Sequence, residues 1–271
     1  MKTRIISGIV LVIIAGSALI TGGWYLYLLC AAISLIGLFE LYRAAGIQKS
    51  AVALCGYIAA LAYYVCILTD MEQLDILVFV AALMAIMTVY VVSFPKHCAA
   101  DAMLAFTGIF YVAVMLSYIY KVRVLSDGIY IIWLVFVSSW GNDTFAYFTG
   151  VLFGKHKMTP KLSPKKSFEG MIGGVAGATV LGMIYGGIVG SRMSEFAVNP
   201  VLTFGIASLI GAFLSVIGDL AASAIKRNYN IKDYGKLIPG HGGIMDRFDS
   251  VIFTAPAVYW AVYIKSEAKR S

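Results

Sequence analysis

The 271-residue chain is 61% hydrophobic and only 13% charged, with a mean hydropathy of +0.87 and a formal net charge of +7. Ordinary soluble domains are about 45–50% apolar and about 25% charged, so a soluble enzyme is excluded and a polytopic membrane protein is indicated. The positive charge lies in segments that flank apolar tracts, which fits membrane orientation and contact with anionic lipid and argues against nucleic acid. Apolar tracts recur from end to end without a long polar stretch, so the expectation is one membrane-embedded domain over 1–271.

Apolar stretches of about 17–25 residues can cross a bilayer as helices. An all-α fold of about nine transmembrane helices is expected, at 5–21, 24–42, 51–68, 74–94, 103–120, 128–150, 169–191, 200–225 and 249–264. Lys2 and Arg4 followed by an apolar run resemble a signal peptide, but no small-residue cleavage site precedes Gly22, Gly23 and Trp24, and the segment reads as the first span. Spans within 1–120 form a variable part with little chemistry. Glu40 and Arg43, at i and i+3, read as a small ion pair, while Trp24, Tyr25, Tyr27, Tyr259, Trp260 and Tyr263 read as interfacial belt residues. Cys30, Cys55 and Cys66 fall in apolar tracts and Cys98 in a short loop, without metal-site or redox-motif spacing.

Nine spans place the termini on opposite sides. With the N-terminus inside, 15 of the 21 Lys and Arg residues fall in cytoplasmic segments, so the two long basic loops face the cytoplasm.

The motif-bearing part, 128–264, begins where Asp143 and Tyr147 lie one helical turn apart ahead of Lys155, Lys157, Lys161, Lys165 and Lys166. An acidic group within an apolar span is a functional candidate by default. In Ser163-Pro164-Lys165-Lys166-Ser167 the proline restricts the backbone, and Glu169-Gly170 opens the next helix. Two lysines and Ser167 at a helix N-terminus form an anion site. The Gly170/Gly174 and Gly173/Gly177 pairs have the small-xxx-small spacing of closely packed membrane helices and leave room for a homodimer.

Asp219, Ser223 and Lys226 follow at i, i+4 and i+7 and share one helix face. Lys226, Arg227, Lys232, Lys236 and Arg247 outnumber the carboxylates of this loop, which points to an anionic ligand. Asp246 and Asp249, at i and i+3, project from one face at the start of the last span. Asp219, Asp246 and Asp249 would then form an all-oxygen metal site suited to Mg²⁺, alone or with a second cation. Between the two helices, Pro239-Gly240-His241-Gly242-Gly243 reads either as a backbone cradle for phosphate or as a tight re-entry turn, and His241 as a phosphate donor or a turn-stabilising residue.

The run Ser223-x-x-Lys226-Arg227-x4-Lys232-Asp233-x4-Ile238-Pro239-Gly240-His241-Gly242-Gly243-x2-Asp246-Arg247-x-Asp249 resembles the signature of the phosphatidate cytidylyltransferases, or CDP-diacylglycerol synthases. The segment from Asp143 through Ser163–Gly170 is similar to that family's other signature region. The resemblance implies that CTP and phosphatidic acid give CDP-diacylglycerol and pyrophosphate at the cytoplasmic membrane face, with a divalent metal. Catalytic roles then fall to Asp219, Asp246, Lys226, Arg227, Asp249 and Asp143. Lys165, Lys166, Ser167, Ser223, Gly240, His241, Gly242, Gly243 and Arg247 would bind substrate.

Rival readings are a transporter using Asp143, Asp219 and Asp246 as an ion path, a CDP-alcohol phosphotransferase, and a cytidylyltransferase for another lipid phosphate, such as an ether lipid. No paired interrupted spans support the first, and the aspartate-rich motif of the second is not found. The lipid-facing spans do not separate the third.

Overall fold

The structure, a computed structural model, describes residues 2–193, 199–240 and 242–267. Its helices are α1 (Lys2–Thr21), α2 (Gly23–Ala44), α3 (Ala51–Leu68), α4 (Asp75–Val92), α5 (Ala99–Gly108), α6 (Met115–Val124), α7 (Gly128–Phe153), α8 (Phe168–Val189), α9 (Pro200–Asn228) and α10 (Met245–Glu267). A π-helical turn, Ile109–Val114, joins α5 to α6 into one rod, Ala99–Val124. The nine rods that result among the described residues coincide in order with the nine apolar tracts.

Six of these rods, Gly23–Ala44, Ala51–Leu68, Asp75–Val92, Ala99–Val124, Phe168–Arg192 and Pro200–Asn228, are long and apolar enough to cross a membrane. The nine expected crossings are thus not all matched by length and composition. The apolar helical run of α1 spans Ser7–Thr21, α7 carries Asn142, Asp143 and Thr144, and α10 opens with Asp246, Arg247 and Asp249. The last two depart from a plain span through the residues that carry chemistry.

The first six helices are joined by aromatic packing and by hydroxyls that reach across to other helices. Tyr27 donates to the Tyr64 carbonyl at 2.7 Å, Tyr64 and Ser34 share a bond of 2.8 Å, and Tyr63 and Ser117 one of 2.9 Å. In an apolar medium, polar side chains that pair between helices avoid the cost of an unsatisfied group. Tyr27, expected in the interfacial belt, is instead buried in this network, while Trp24, Tyr25 and Trp260 are exposed as expected. Arg123 closes α1 by donating to the carbonyls of Leu19 and Ile20 at 2.9 and 3.1 Å. A cation there also meets the negative end of the helix dipole.

The second half is packed through small residues. A Cβ at Gly173 would meet Thr149, one at Gly174 would meet Asn142 and Ala146, and one at Gly177 would meet Phe145, so α8 lies directly on α7. Gly182 and Gly186 play the same part against Ser208 and Phe204 of α9. The glycines that left room for a second copy of the chain are therefore engaged inside one copy. Ser138 and Ser208 share a bond of 2.9 Å, and Asn142 donates to Ser215 at 2.9 Å, which ties α7 to α9.

Between α7 and α8 the expected loop folds into an antiparallel hairpin of β1 (Lys157–Thr159) and β2 (Ser163–Ser167). The hairpin is fastened to α8 at both ends. Ser167 caps the helix by accepting from Gly170 N–H at 3.1 Å, and Glu169 accepts from the backbone N–H of Lys155 and of His156 and pairs with His156 Nδ1 at 2.6 Å.

Candidate active site

Long helices α9 and α10 run side by side, and their adjoining ends carry most of the site. Asp219 and Ser223 lie one turn apart on α9, and Ser223 Oγ donates to Asp219 Oδ1 at 3.4 Å. Asp219 Oδ2 forms an ion pair with Lys166 of β2. The hairpin thus brings a lysine from the first basic segment onto a carboxylate of the second, a contact that sequence spacing does not reveal.

Asp249 of α10 accepts from the N–H of Ser250 at 2.8 Å, and the Ser250 hydroxyl reaches Asp143 of α7 at 3.5 Å. The charges of Asp143, Asp219 and Asp249 act on one another, with Lys166 and Lys226 in range as counter-charges. Carboxylates from α7, α9 and α10 therefore lie within electrostatic range of one another.

Asp246 occupies a different position. Its Oδ1 pairs with Lys226 Nζ at 3.0 Å, and its Oδ2 accepts from the N–H of Tyr234 at 2.8 Å and of Gly243 at 2.9 Å. Three of the about four acceptor positions of a carboxylate are thereby used, and the side chain is only 4% exposed. Asp246 brackets the loop 229–244 between α9 and α10, while Asp219 and Asp249 lie in the acidic cluster with Asp143. Of the three carboxylates expected to share a metal, Asp246 is thus the one bonded to the loop in this structure.

The glycine turn is part of the same bracket. Ile238 donates to the Gly242 carbonyl at 2.9 Å, and Gly240 and Gly242 adopt φ of 77° and 89°, a left-handed region that favours glycine. The Gly243 N–H, a candidate phosphate donor if the turn is a cradle, is given to Asp246 in this structure. His241 lies outside the described residues.

Two residues from α2 complete the bracket. Glu40, 2% exposed, accepts from the N–H of Met245 at 2.9 Å, at the start of α10. A Cβ on either Gly235 or Gly243 would run into its carboxylate. Arg43 donates to the Tyr234 carbonyl. Glu40 and Arg43 thus both reach the loop, and their charges act on each other without the close ion pair that was expected. Tyr234 is buried, lies under Lys226 with 5.5 Å between ammonium and ring centroid, and donates to the Ala222 carbonyl at 3.1 Å. Burial, reinforced by Tyr111, Asp246 and Asp249, raises its phenol above the ordinary range, so it remains a donor. The one sequence signal for this set was an ionisable Glu40 inside an apolar tract.

The other predicted residues line the approaches. A cavity of about 440 Å³ is bounded by Asp143, Tyr147, Lys157, Lys165, Lys166 and Ser167 among others, with Val151, Met158, Met171 and Val216 giving it an apolar wall. A second, of about 570 Å³, is bounded by Arg43, Lys232, Asp233, Tyr234 and Lys236. Arg227 and Arg247 are exposed beside the loop.

Among the described residues no three metal-ligating side chains approach closely enough to enclose an ion by themselves. Mg²⁺ characteristically takes one or two carboxylates and completes its shell with water and phosphate oxygen. The oxygen-only cluster of Asp143, Asp219 and Asp249 fits that demand.

Comparison with known proteins agrees with this chemistry. The profile of the cytidylyltransferase family matches residues 2–265. The chain is 31% identical to a phosphatidate cytidylyltransferase of Staphylococcus aureus (strain COL) over 263 residues, covering 94% of this chain and 96% of that protein. It is 32% identical over 264 residues to the enzyme of the same name from Staphylococcus haemolyticus (strain JCSC1435), with the same coverage. With its apolar helices, acidic cluster and basic loops, the chain belongs to the cytidylyltransferase family and is a multi-pass membrane nucleotidyltransferase.

Proposed function

We propose that this protein joins CTP to phosphatidic acid, releasing pyrophosphate and leaving CDP-diacylglycerol in the membrane for phospholipid synthesis. The observation that carries this reading is the convergence of Asp143, Asp219 and Asp249 with Lys166 beside a cavity that is apolar on one wall and lysine-lined on another. That cavity suits a lipid phosphate, with acyl chains against Val151, Met171 and Val216 and the phosphate against Lys165, Lys166 and the Ser167 hydroxyl. Ser167 Oγ accepts from Gly170 N–H and keeps its own proton to donate.

A phosphomonoester with a second pKa near roughly 6 is largely dianionic at neutral pH, so the lipid phosphate needs no strong general base. Its oxygen attacks the α-phosphorus of CTP, and the bond to the β-phosphate oxygen breaks in line. The requirement is to hold two anions together and to stabilise the departing pyrophosphate. Lys166 pairs with Asp219 and Lys226 lies within electrostatic range of Asp249, and Arg227 and Arg247 are exposed at the loop to meet the triphosphate. Ser223 orients Asp219, and the bracket of Asp246, Tyr234 and Gly243 fixes Lys226.

Asp219 and Asp249, with Asp143 beside them, would hold Mg²⁺. Bound there, the ion would supply charge neutralisation for the phosphates and polarise the phosphoryl group. The positive-inside count favours a cytoplasmic N-terminus and cytoplasmic basic loops, the side on which CTP is available.

The test is transfer of label from [α-³²P]CTP into organic-extractable lipid by purified protein in detergent. Label in lipid only when phosphatidic acid and Mg²⁺ are both present, and none from [γ-³²P]CTP, is expected. A folded sample that labels no lipid phosphate at all would overturn the reading and favour transport.

A further inference from the structure

Tyr111 lies in the first half of the chain, far in sequence from every signature residue, on the π-helical turn Ile109–Val114. Such turns add a residue to the helical circuit, re-aim the side chains they carry and occur frequently at functional sites. The surroundings hold this one in place. The N–H of Ile109 goes to Phe106, and the Ala105 carbonyl instead receives the hydroxyl of fully buried Tyr42 at 2.6 Å.

The turn delivers the Tyr111 ring to α10. It meets Phe253 edge-on, with centroids 6.3 Å apart, and Phe253 is one helical turn from Asp249 on the same face. Gly218, which precedes Asp219, packs against both Phe253 and the Asp249 carbonyl. The ring therefore lies where α9 and α10 hold their carboxylates, and it interacts electrostatically with both Asp249 and Asp219. Yet its hydroxyl is shielded from solvent and has no hydrogen-bond partner among the described residues. Buried hydroxyls are nearly always paired, because leaving one unpaired in an apolar interior is costly. The neighbouring Tyr234 phenol is already committed to the Ala222 carbonyl.

We propose that the Tyr111 hydroxyl is a substrate-contacting donor, bonding a phosphate oxygen held at the Asp219–Asp249 cluster. The assignment rests on the cytidylyltransferase reading and extends its site to a residue outside both signature regions. A hydroxyl that serves only the bound state adds no favourable bond to the free protein, so removing it leaves stability intact or raises it, whereas removing a structural hydroxyl lowers it. Tyr111→Phe keeps the ring against Phe253 and removes only the oxygen.

The experiment compares wild type and Tyr111→Phe in detergent. It measures cytidylyl transfer, and the shift in thermal midpoint produced by CTP with Mg²⁺ and, separately, by phosphatidic acid. The unliganded midpoint is expected to stay level or rise, with kcat/KM down by roughly 10- to 100-fold, the range for a lost bond to a charged group. The shift from one ligand should also shrink. Loss of the CTP shift would place the bond on the nucleotide, and loss of the phosphatidic acid shift would place it on the lipid. Unchanged kinetics and both shifts intact would overturn the proposal, as would a fall in the unliganded midpoint. If wild type itself transfers no label, the enzymatic reading fails, while the two shifts still test whether Tyr111 meets phosphate.

Discussion

The two halves of this protein are built on different principles. From α1 to α6, tyrosines, serines and aliphatic side chains interlock, and polar groups are spent on other helices, as in the bonds of Tyr27, Tyr42 and Tyr63. From α7 to α10, glycines bring backbones together and the polar groups gather in one place. Either half alone would be incomplete. Glu40 and Arg43 of α2 grip the loop that packs Tyr234 under Lys226, and Tyr111 stands on the π turn within electrostatic range of Asp219 and Asp249. A half that resembles scaffolding therefore supplies part of the site's geometry.

The largest expected effect separates chemistry from architecture within the second half. Asp219→Asn or Asp249→Asn should reduce turnover on the order of 10³-fold, the scale of losing a principal electrostatic element. The thermal midpoint in detergent should change little, because the Asp219–Lys166 pair is partly exposed and the hairpin is fastened to α8 independently through Ser167 and Glu169. Asp246→Asn should behave otherwise. Breaking a buried ion pair typically costs about 3–5 kcal/mol, so this variant should lose both activity and thermal stability. If Asp246→Asn were as stable as wild type, its role as a bracket would be wrong.

The contribution of the first half is sharpened by Glu40→Ala. The N–H of Met245 would lose its acceptor, at a cost of about 1–3 kcal/mol, and activity should fall with stability although the residue touches no substrate. Gly243→Ala approaches the same contact from the other side, since its Cβ would collide with the Glu40 carboxylate. Combining Glu40→Ala with Gly243→Ala should cost less than the sum of the two single changes. Full additivity in thermal melts would break the connection drawn between α2 and the loop. The smallest effect belongs to Ser167→Ala, which removes the cap of α8 and should lower stability by about 1 kcal/mol. KM for the lipid phosphate should also rise, because the same hydroxyl faces the lysine-lined cavity.

Much of the second half was legible because membrane composition makes chemistry conspicuous. In a chain this apolar, Asp143, Asp219, Asp246 and Asp249 stand out, and helical spacing joins Asp219 to Ser223 and Lys226. Spacing along one chain could not show that Lys166 would cross to Asp219, because the hairpin that delivers it depends on contacts with α8. Nor could it separate Asp246 from the other carboxylates, since its partners, Tyr234 N–H and Gly243 N–H, are backbone groups available to any sequence. Glu40 was misjudged for a related reason. A neighbouring arginine at i+3 offers an obvious partner, and only the folded loop shows that each side chain bonds the loop region instead of forming a close pair. Tyr111 carries no sequence signal at all, because a tyrosine in an apolar tract is ordinary and the π turn that directs it depends on Tyr42 from another helix.

The central claim is that Asp143, Asp219 and Asp249 form the phosphoryl-transfer centre while Asp246 secures the loop beside it. The most direct measurement is the Mg²⁺ dependence of label transfer from [α-³²P]CTP to phosphatidic acid, made on wild type, Asp219→Asn and Asp246→Asn whose thermal midpoints are measured in parallel. The account predicts an Asp219→Asn protein that melts like wild type and transfers almost nothing at any Mg²⁺ concentration, beside an Asp246→Asn protein that melts early. Near-normal transfer by Asp219→Asn at saturating Mg²⁺ would contradict it.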